Sequence, residues 1–187
     1  MNSQSTPNKP LRTFNPLVIS GSAHVQGNTK QAVELLCSDL PTLFLCEQKI
    51  AHYSYTSSHE GDDFLPTMRR ILAHDPLIFA TPVYWYSMSG HMKVFWDRVT
   101  DLYVHHKDLG QQLKGKTAMI IVSSSSPMPQ GFAMPLEKTF AYLKMGYVGC
   151  WDQIFPLEAH ADHNQEQRLL AQTAWAQLHK DFENPSA

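Results

Sequence analysis

Three stretches of this sequence carry side chains suited to holding a ligand. The first, Ser20-Gly21-Ser22-Ala23-His24-Val25-Gln26-Gly27-Asn28-Thr29, is small, rich in hydroxyls and runs straight into an amphipathic pattern. Backbone N–H groups at a helix start, the helix dipole and the hydroxyls of Ser20, Ser22 and Thr29 can together cradle one phosphate. Two better-known phosphate loops do not fit. G-x-x-x-x-G-K-[ST] fails because Gly21 and Gly27 are separated by five residues and followed by Asn28-Thr29, and G-x-G-x-x-G fails because residue 23 is Ala. Without a ligand the same stretch is a turn and a helix cap.

The second stretch is Thr81-Pro82-Val83-Tyr84-Trp85-Tyr86-Ser87-Met88-Ser89-Gly90. Alternate side chains of an extended chain point to opposite faces, so Tyr84, Trp85 and Tyr86 cannot all enter one core. At least one is expected at the strand mouth, where it could stack on a flat heteroaromatic ligand or pack on a neighbouring helix or chain. The third, Ser123-Ser124-Ser125-Ser126-Pro127, is a donor-rich polar loop.

Other clusters carry less. His105-His106-Lys107 and Glu158-Ala159-His160-Ala161-Asp162-His163 have a metal-like composition without H-E-x-x-H spacing, and are expected to be solvated loop ends. Asp97-Arg98 and Asp101 are expected to be surface charge or interface pairing on a helix. No G-x-S-x-G is present to make a serine nucleophile. No metal site and no catalytic acid or base is assigned.

The elements that must position these stretches alternate between short apolar runs and amphipathic segments, the pattern of βαβ units. Strands are expected at Leu17–Ile19, Thr42–Cys46, Leu77–Ala80, Thr117–Ser123 and Tyr147–Phe155. The first helix, capped by Asn28, should place Ala32, Val33, Leu35, Leu36 and Leu40 on one face before Pro41 stops it. Further helices are expected over 63–74, with Asp62 or Asp63 at the cap; from Ser89, with Met92, Phe95, Trp96, Val99 and Leu102 inward and Lys93 paired with Asp97; and through Phe132, Leu136, Phe140 and Leu143, capped by Gly146. A last one, Gln165–Phe182, should bury Leu169, Leu170, Thr173 and Leu178. These elements predict an α/β three-layer sandwich on a five-stranded parallel sheet, most simply in the flavodoxin-like order 2-1-3-4-5. Glu47–Asp62 is too long and polar for an ordinary βα connection and suggests a lid, an interface or an insertion.

The chain has 187 residues, 43% of them hydrophobic, enough for one domain that closes without disulfides. We expect a mobile polar tail over 1–15, without a secretory h-region, and one domain over 16–187. A net charge of −2 gives no basic field for nucleic acid or an anionic membrane, and the longest apolar run, Ala118–Val122, is too short to span a bilayer. Cys37, Cys46 and Cys150 lack a C-x-x-C and are expected to be reduced thiols of a cytoplasmic protein.

In Ser20-Gly21-Ser22-x-x-x-x-Gly27-Asn28-Thr29, Thr81-Pro82-Val83-Tyr84-Trp85, Ser89-Gly90, Met92-Lys93 and Phe95–Arg98, the chain resembles the flavodoxin-like NAD(P)H-dependent FMN reductases and quinone reductases, a group that includes the iron-sulfur flavoproteins. The resemblance covers Leu17 to about Leu102. It implies that Ser22, His24, Gly27, Asn28 and Thr29 surround the phosphate of FMN, with the Ser20 hydroxyl, read above from the loop itself, beside them. Pro82, Val83, Tyr84, Trp85 and Tyr86 would border the isoalloxazine, and Ser123, Ser124, Ser125 and Ser126 would form the third side. Position 24 is His where such loops often carry Arg, so the cation expected beside the phosphate depends on protonation. No Cys cluster follows Cys46, so no iron-sulfur centre is expected.

The activity implied is hydride transfer from NADH or NADPH, as co-substrate, to FMN, and onward to a quinone, free flavin or other small acceptor, by a homodimer. A flavodoxin-type electron carrier is the alternative, although such carriers usually show a more acidic face. A signalling receiver would need acidic residues where strand one ends in Ser20-Gly21-Ser22. Cofactor released by acid is expected to chromatograph as FMN, because the first turn has donors for one terminal phosphate and lacks the glycine spacing for a pyrophosphate. Recovery of FAD would overturn the assignment.

Overall fold

The computed structural model describes residues 13–56, 59 and 61–183, so residues 1–12 of the expected tail lie outside the described residues. The strands are β1 (Leu17–Ser20), β2 (Thr42–Phe44), β3 (Leu77–Tyr84), β4 (Ser87–Met88), β5 (Thr117–Ser124) and β6 (Gly146–Ile154). The helices are α1 (Asn28–Leu36), α2 (Phe64–Leu72), α3 (Gly90–Val104), α4 (Lys107–Gln111), α5 (Met134–Tyr142) and α6 (Ala161–Glu183). The parallel sheet runs β2-β1-β3-β5-β6, the expected order, and β4 adds only a short antiparallel return on β3.

Both faces of the sheet are covered, which is why its central strands are almost unbroken apolar runs. Leu17, Ile19, Leu77, Phe79, Ile120 and Val122 pack with α2, α3 and α5. Val18, Ile78, Ala80, Met119 and Ile121 pack with α1 and α6. Ahead of β1, Phe14 lies among Trp175, His179 and Phe182, and Asn15 exchanges backbone hydrogen bonds with Asp75.

Several local expectations need correction. Helix α1 ends at Leu36 and leaves Leu40 in the following turn, where Asp39 takes a left-handed φ of 62°. Its N-cap is Gly27, and Asn28 is its first helical residue. Gly146 starts β6, while Lys144, at φ 58°, makes the left-handed turn after α5. In α6, Leu169 is 65% exposed and Leu170 50%, and Thr173 is also exposed. The buried stripe is Asn164, Ala171, Leu178 and Phe182. Hydrophobicity misplaces it because its first member is an amide: Asn164 accepts from the Ile154 N–H and donates to the Ile154 carbonyl, at 2.8 Å each, locking α6 to the end of β6.

The largest correction concerns Arg98. Far from being surface charge, it is 1% exposed, one of the largest fully buried side chains. Its Nε donates to Asp101 Oδ2 at 2.7 Å, one terminal nitrogen donates to the Ala51 carbonyl at 3.0 Å and pairs closely with Asp62, and the guanidinium lies over the Phe64 ring. Asp62 in turn accepts from the N–H groups of Ala51 and Phe64, so it supplies the side-chain cap of α2 although Asp63 precedes the helix. The long connection after β2 is thereby bolted to α3.

Burial alone would push the Asp62 carboxyl up, but hydrogen bonds from Arg98 and from the Phe64 and Ala51 amides outweigh it and hold it below its ordinary value. A lowered carboxyl contributes stability that is whole above the unfolded value of about 3.9 and is lost as pH falls through the folded one. Arg98→Ala should therefore cost about 3–5 kcal/mol in urea unfolding at neutral pH, because it strands two acids, and the deficit should shrink below about pH 4. A deficit that stays constant into acid would mean that Arg98 acts through packing alone.

Candidate functional site

Parallel pairing puts the carboxyl ends of β1, β3 and β5 side by side, so the three stretches singled out in the sequence meet at one edge of the sheet. Ser20 is buried at the end of β1, and its Oγ accepts from the Ser22 N–H. Ser22 Oγ accepts from the His24 N–H at 3.1 Å and donates to the His24 carbonyl at 3.0 Å, curling the turn back on itself. Within that curl a Cβ on Gly27 would lie 2.9 Å from His24 Nδ1, so only glycine fits without a shift. Val25 is half-buried, and His24 and Asn28 are exposed. The Asn28 and Thr29 amides, in the first turn of α1, lie beyond the reach of intrahelical acceptors. No Asp or Glu occurs between Ser20 and Thr29, so the donor set suits an anion.

Two hydroxyl contacts tie this turn to the others. Thr29 Oγ1 and Ser123 Oγ are 2.8 Å apart and buried, joining α1 to the end of β5. Ser89 caps α3 by accepting from the Met92 N–H, donates to the Gly21 carbonyl at 2.6 Å, and sends its own N–H to Thr81 Oγ1 at 3.1 Å. The chain at residue 21 approaches α3 so closely that a Cβ there would lie 2.7 Å from Ser89 Oγ and 2.8 Å from Met92 Cβ. Ser89, Thr81 and Met92 were not among the expected site residues; the Ser-Gly step opening an amphipathic helix was the available signal for the cap.

At the second stretch, β3 continues through Pro82, Val83 and Tyr84 and turns at Trp85 and Tyr86 into β4, with Val83 opposite Met88 and Tyr84 opposite Ser87. Trp85 and Tyr86 have φ of 50° and 65°, values that a two-residue hairpin needs and that bulky residues adopt only at a cost of about 1–3 kcal/mol each. Tyr84 is half exposed, and Trp85 and Tyr86 are 94% and 79% exposed. Pro82 is buried. An aromatic tip held out in water at this cost is a strained feature of the kind that marks ligand sites.

At the third stretch, Ser123 is buried, Ser124 is half-buried with its Oγ donating to the Ser126 carbonyl, and Ser125 and Ser126 are exposed. Asp152, at the end of the neighbouring β6, accepts from the Met128 N–H and pairs with His163, so His163 is less free than a solvated loop end. A cavity of about 740 Å³ opens beside the first and second turns, between Gln48–His52 and the start of α3, with Ala23 and Tyr84 on its wall. Sequence reasoning named Tyr84 and marked the segment after β2 as unusual, but named none of Gln48–His52 as site residues.

Burial pushes Cys37 up to about 12 and raises Cys46 and Cys150, so none is a ready thiolate. Among the described residues no group of three or more His, Cys, Asp or Glu side chains could hold a metal, and no helix is long and apolar enough to cross a membrane.

A turn whose donors suit an anion at a helix start, joined to an aromatic hairpin and a serine turn at the carboxyl edge of a flavodoxin-like sheet, fits a flavin-binding oxidoreductase. Comparison with known proteins places the chain within that class. Residues 15–154 match the NADPH-dependent FMN reductase family, and the chain belongs to it. YwqN of Bacillus subtilis (strain 168), named as an NAD(P)H-dependent FMN-containing oxidoreductase, is 30% identical over 145 residues, which cover 71% of this chain and 80% of that protein. Among solved structures, the Trp repressor binding protein of Bacillus subtilis superposes with a TM-score of 0.67 at 24% identity, covering 84% of this chain and 95% of the other. General stress protein 14 of Treponema denticola, solved with FMN, gives 0.56 at 18% identity, covering 89% and 98%. The protein is thus an NAD(P)H-dependent oxidoreductase with FMN as its cofactor, and an enzyme rather than a carrier.

The packing of the first turn on α3 generates a test of how the site is held. Gly21→Ala forces a methyl into Ser89 and Met92, and should destabilise the fold by about 1–3 kcal/mol. FMN affinity should fall with it, because the turn and the α3 cap move together. Calorimetry and fluorescence titration check both; unchanged FMN affinity in a destabilised variant would uncouple the cradle from Ser89.

Proposed function

We propose that the phosphate of FMN lies in the first turn, held by the amides of Asn28 and Thr29, by the Thr29 hydroxyl with Ser123 donating to it, and by the Ser22 hydroxyl turned from the His24 carbonyl. In this reading His24 and Gly27 shape the curl and Ser20 supports it from below. The isoalloxazine lies against Pro82–Tyr86, with Ser123–Ser126 closing the third side. Convergence of these turns, fastened by Thr29 to Ser123 and by Ser89 to Gly21, is the observation that carries the assignment. Its donor set suits an anion, and its exposed rings suit a flat heterocycle.

Bound FMN would supply the reactive atom, taking a hydride from the nicotinamide and passing electrons to a quinone, free flavin or similar small electrophile. The chain's own residues bind and orient: amides and hydroxyls fix the phosphate end, while Tyr84, Trp85 and Tyr86 shape the face where the substrates approach. No side-chain acid or base is assigned. A homodimer accords with this reading, since a second chain could cover the exposed hairpin tip, and three free cysteines suit the reducing cytoplasm.

One platform at residues 84–86 serves nicotinamide and acceptor in turn, so steady-state rates of the FMN-loaded protein with a quinone should give parallel double-reciprocal lines. Intersecting lines across several acceptors would require two separate pockets. Asn28→Leu keeps the amide but sets a bulky apolar side chain beside the phosphate, and should weaken FMN binding more than it weakens the fold; equal losses would reduce Asn28 to a helix residue.

A further inference from the structure

The cavity beside the first turn is left unused by the phosphate cradle. Leu45, Ile50 and Val94 give it an apolar side. Lys49, His52 and His91 also line it, and no Asp or Glu is among its lining residues. Among the described residues neither Lys49 nor His91 forms an ion pair. Of the acids near the cavity, Asp62 is held by Arg98 and two amides, Asp63 accepts from the backbone N–H of Lys49 at 2.7 Å, and Glu47, exposed, is not among the lining residues.

The start of α3 adds to this charge pattern. The Gly90 and His91 amides have no intrahelical acceptor, and the helix dipole makes that end positive. A Cβ at Gly90 would meet nothing within 4 Å, so the backbone there borders open space. The opposite wall is fixed, because Arg98 holds the Ala51 carbonyl at 3.0 Å and Asp62 holds the Ala51 N–H at 3.1 Å. A single buried guanidinium therefore anchors the segment that carries Lys49 and His52 to the helix that carries His91.

We propose that this cavity is an anion subsite of the oxidoreductase. It receives a phosphate, sulfonate or carboxylate borne by one of the two substrates, with the apolar remainder of that substrate on Leu45, Ile50 and Val94. Lys49, His52, His91 and the first amides of α3 hold the anion. The inference deepens the reductase reading and rests on it. Two substrates can bring such a group: a nicotinamide dinucleotide through its 2′-phosphate, or an acidic acceptor.

The test uses the full chain loaded with FMN, as wild type, Lys49→Ala, His91→Ala, the double variant and Lys49→Arg. Lys49 and His91 are exposed, so the fold should tolerate these changes. Two ratios of kcat/KM are measured: NADPH over NADH with an unsubstituted naphthoquinone, and a sulfonated over an unsubstituted naphthoquinone with NADH. Calorimetric dissociation constants of NADP⁺ and NAD⁺ give a reading independent of turnover. Loss of one charge-assisted contact should lower the relevant ratio about tenfold, more in the double variant, while Lys49→Arg keeps it.

A fall in the NADPH ratio, with NADP⁺ binding weakened alongside, identifies the 2′-phosphate as the anion. A fall in the sulfonated-quinone ratio identifies the acceptor. If turnover persists and neither ratio moves more than about twofold in the double variant, the subsite is overturned while the reductase reading stands. A wild-type protein that holds FMN and oxidises neither nicotinamide would remove the reductase reading and the substrate subsite with it.

Discussion

A guanidinium with almost no water of its own must be neutralised inside the protein, and the way Arg98 is neutralised decides where the chain runs after β2. Asp101 lies on the same helix and would satisfy Arg98 locally; Asp62 and the Ala51 carbonyl do not, and they pull in a segment about 40 residues away in sequence. Desolvating such a group costs several kcal/mol per ion, so a buried pair is seldom a net gain over apolar packing. What it confers here is a fixed position. The connection over residues 47–62 has few apolar side chains with which to pack, and the charge cluster does for it what a hydrophobic face does for α2. The cavity wall, the α2 cap and the approach to α3 all follow from that attachment.

The carboxyl edge of the sheet shows the same economy with polar groups. Ser89 serves three partners with one side chain and one amide, and Thr29 at the start of α1 meets Ser123 at the end of β5, one strand beyond the β3 that pairs with β1. These contacts are buried and short, so the turns that meet there form one rigid body rather than three independent loops. Glycine is required where backbones are pressed closest, at Gly21 against α3. By contrast, the hairpin tip carries aromatic rings where glycine or asparagine would relieve the backbone. Relaxation was available in the genetic code and was not taken.

The fold was largely legible in the sequence because a parallel sheet buried on both faces needs continuous apolar strands. Leu17–Ile19, Leu77–Ala80 and Ala118–Val122 could hardly be anything else. The turns were legible for a related reason: Gly, Ser and Pro cluster where such strands end. The sequence was less informative wherever burial was polar. Arg98 and Asp101 look like solvated helix charges until Asp62 is brought against them, and nothing in local periodicity encodes a partner so far along the chain. Asn164 hid the buried stripe of α6 in the same way, its amide being satisfied only by the backbone of β6. The wall at Gln48–His52 was missed because it lacks a periodic pattern and is held from outside by Arg98.

The division between legible and hidden residues bears on how the site works. The proposed phosphate cradle is built from amides and hydroxyls with no permanent side-chain charge, so on that proposal its grip depends on donors being aimed together rather than on one strong attraction. Aim is set below the surface, by Ser20 under Ser22, by Thr29 against Ser123 and by Ser89 against Gly21. Such a cradle tolerates change at its exposed members and is intolerant of change at its buried ones. The opposite holds at the aromatic tip and the neighbouring cavity, where side chains face solvent and the scaffold does not depend on them. With the flavin placed as proposed, variation there would alter which small molecule reaches it while leaving the flavin itself in place, so that one fold could serve different acceptors without rebuilding the part that holds the cofactor.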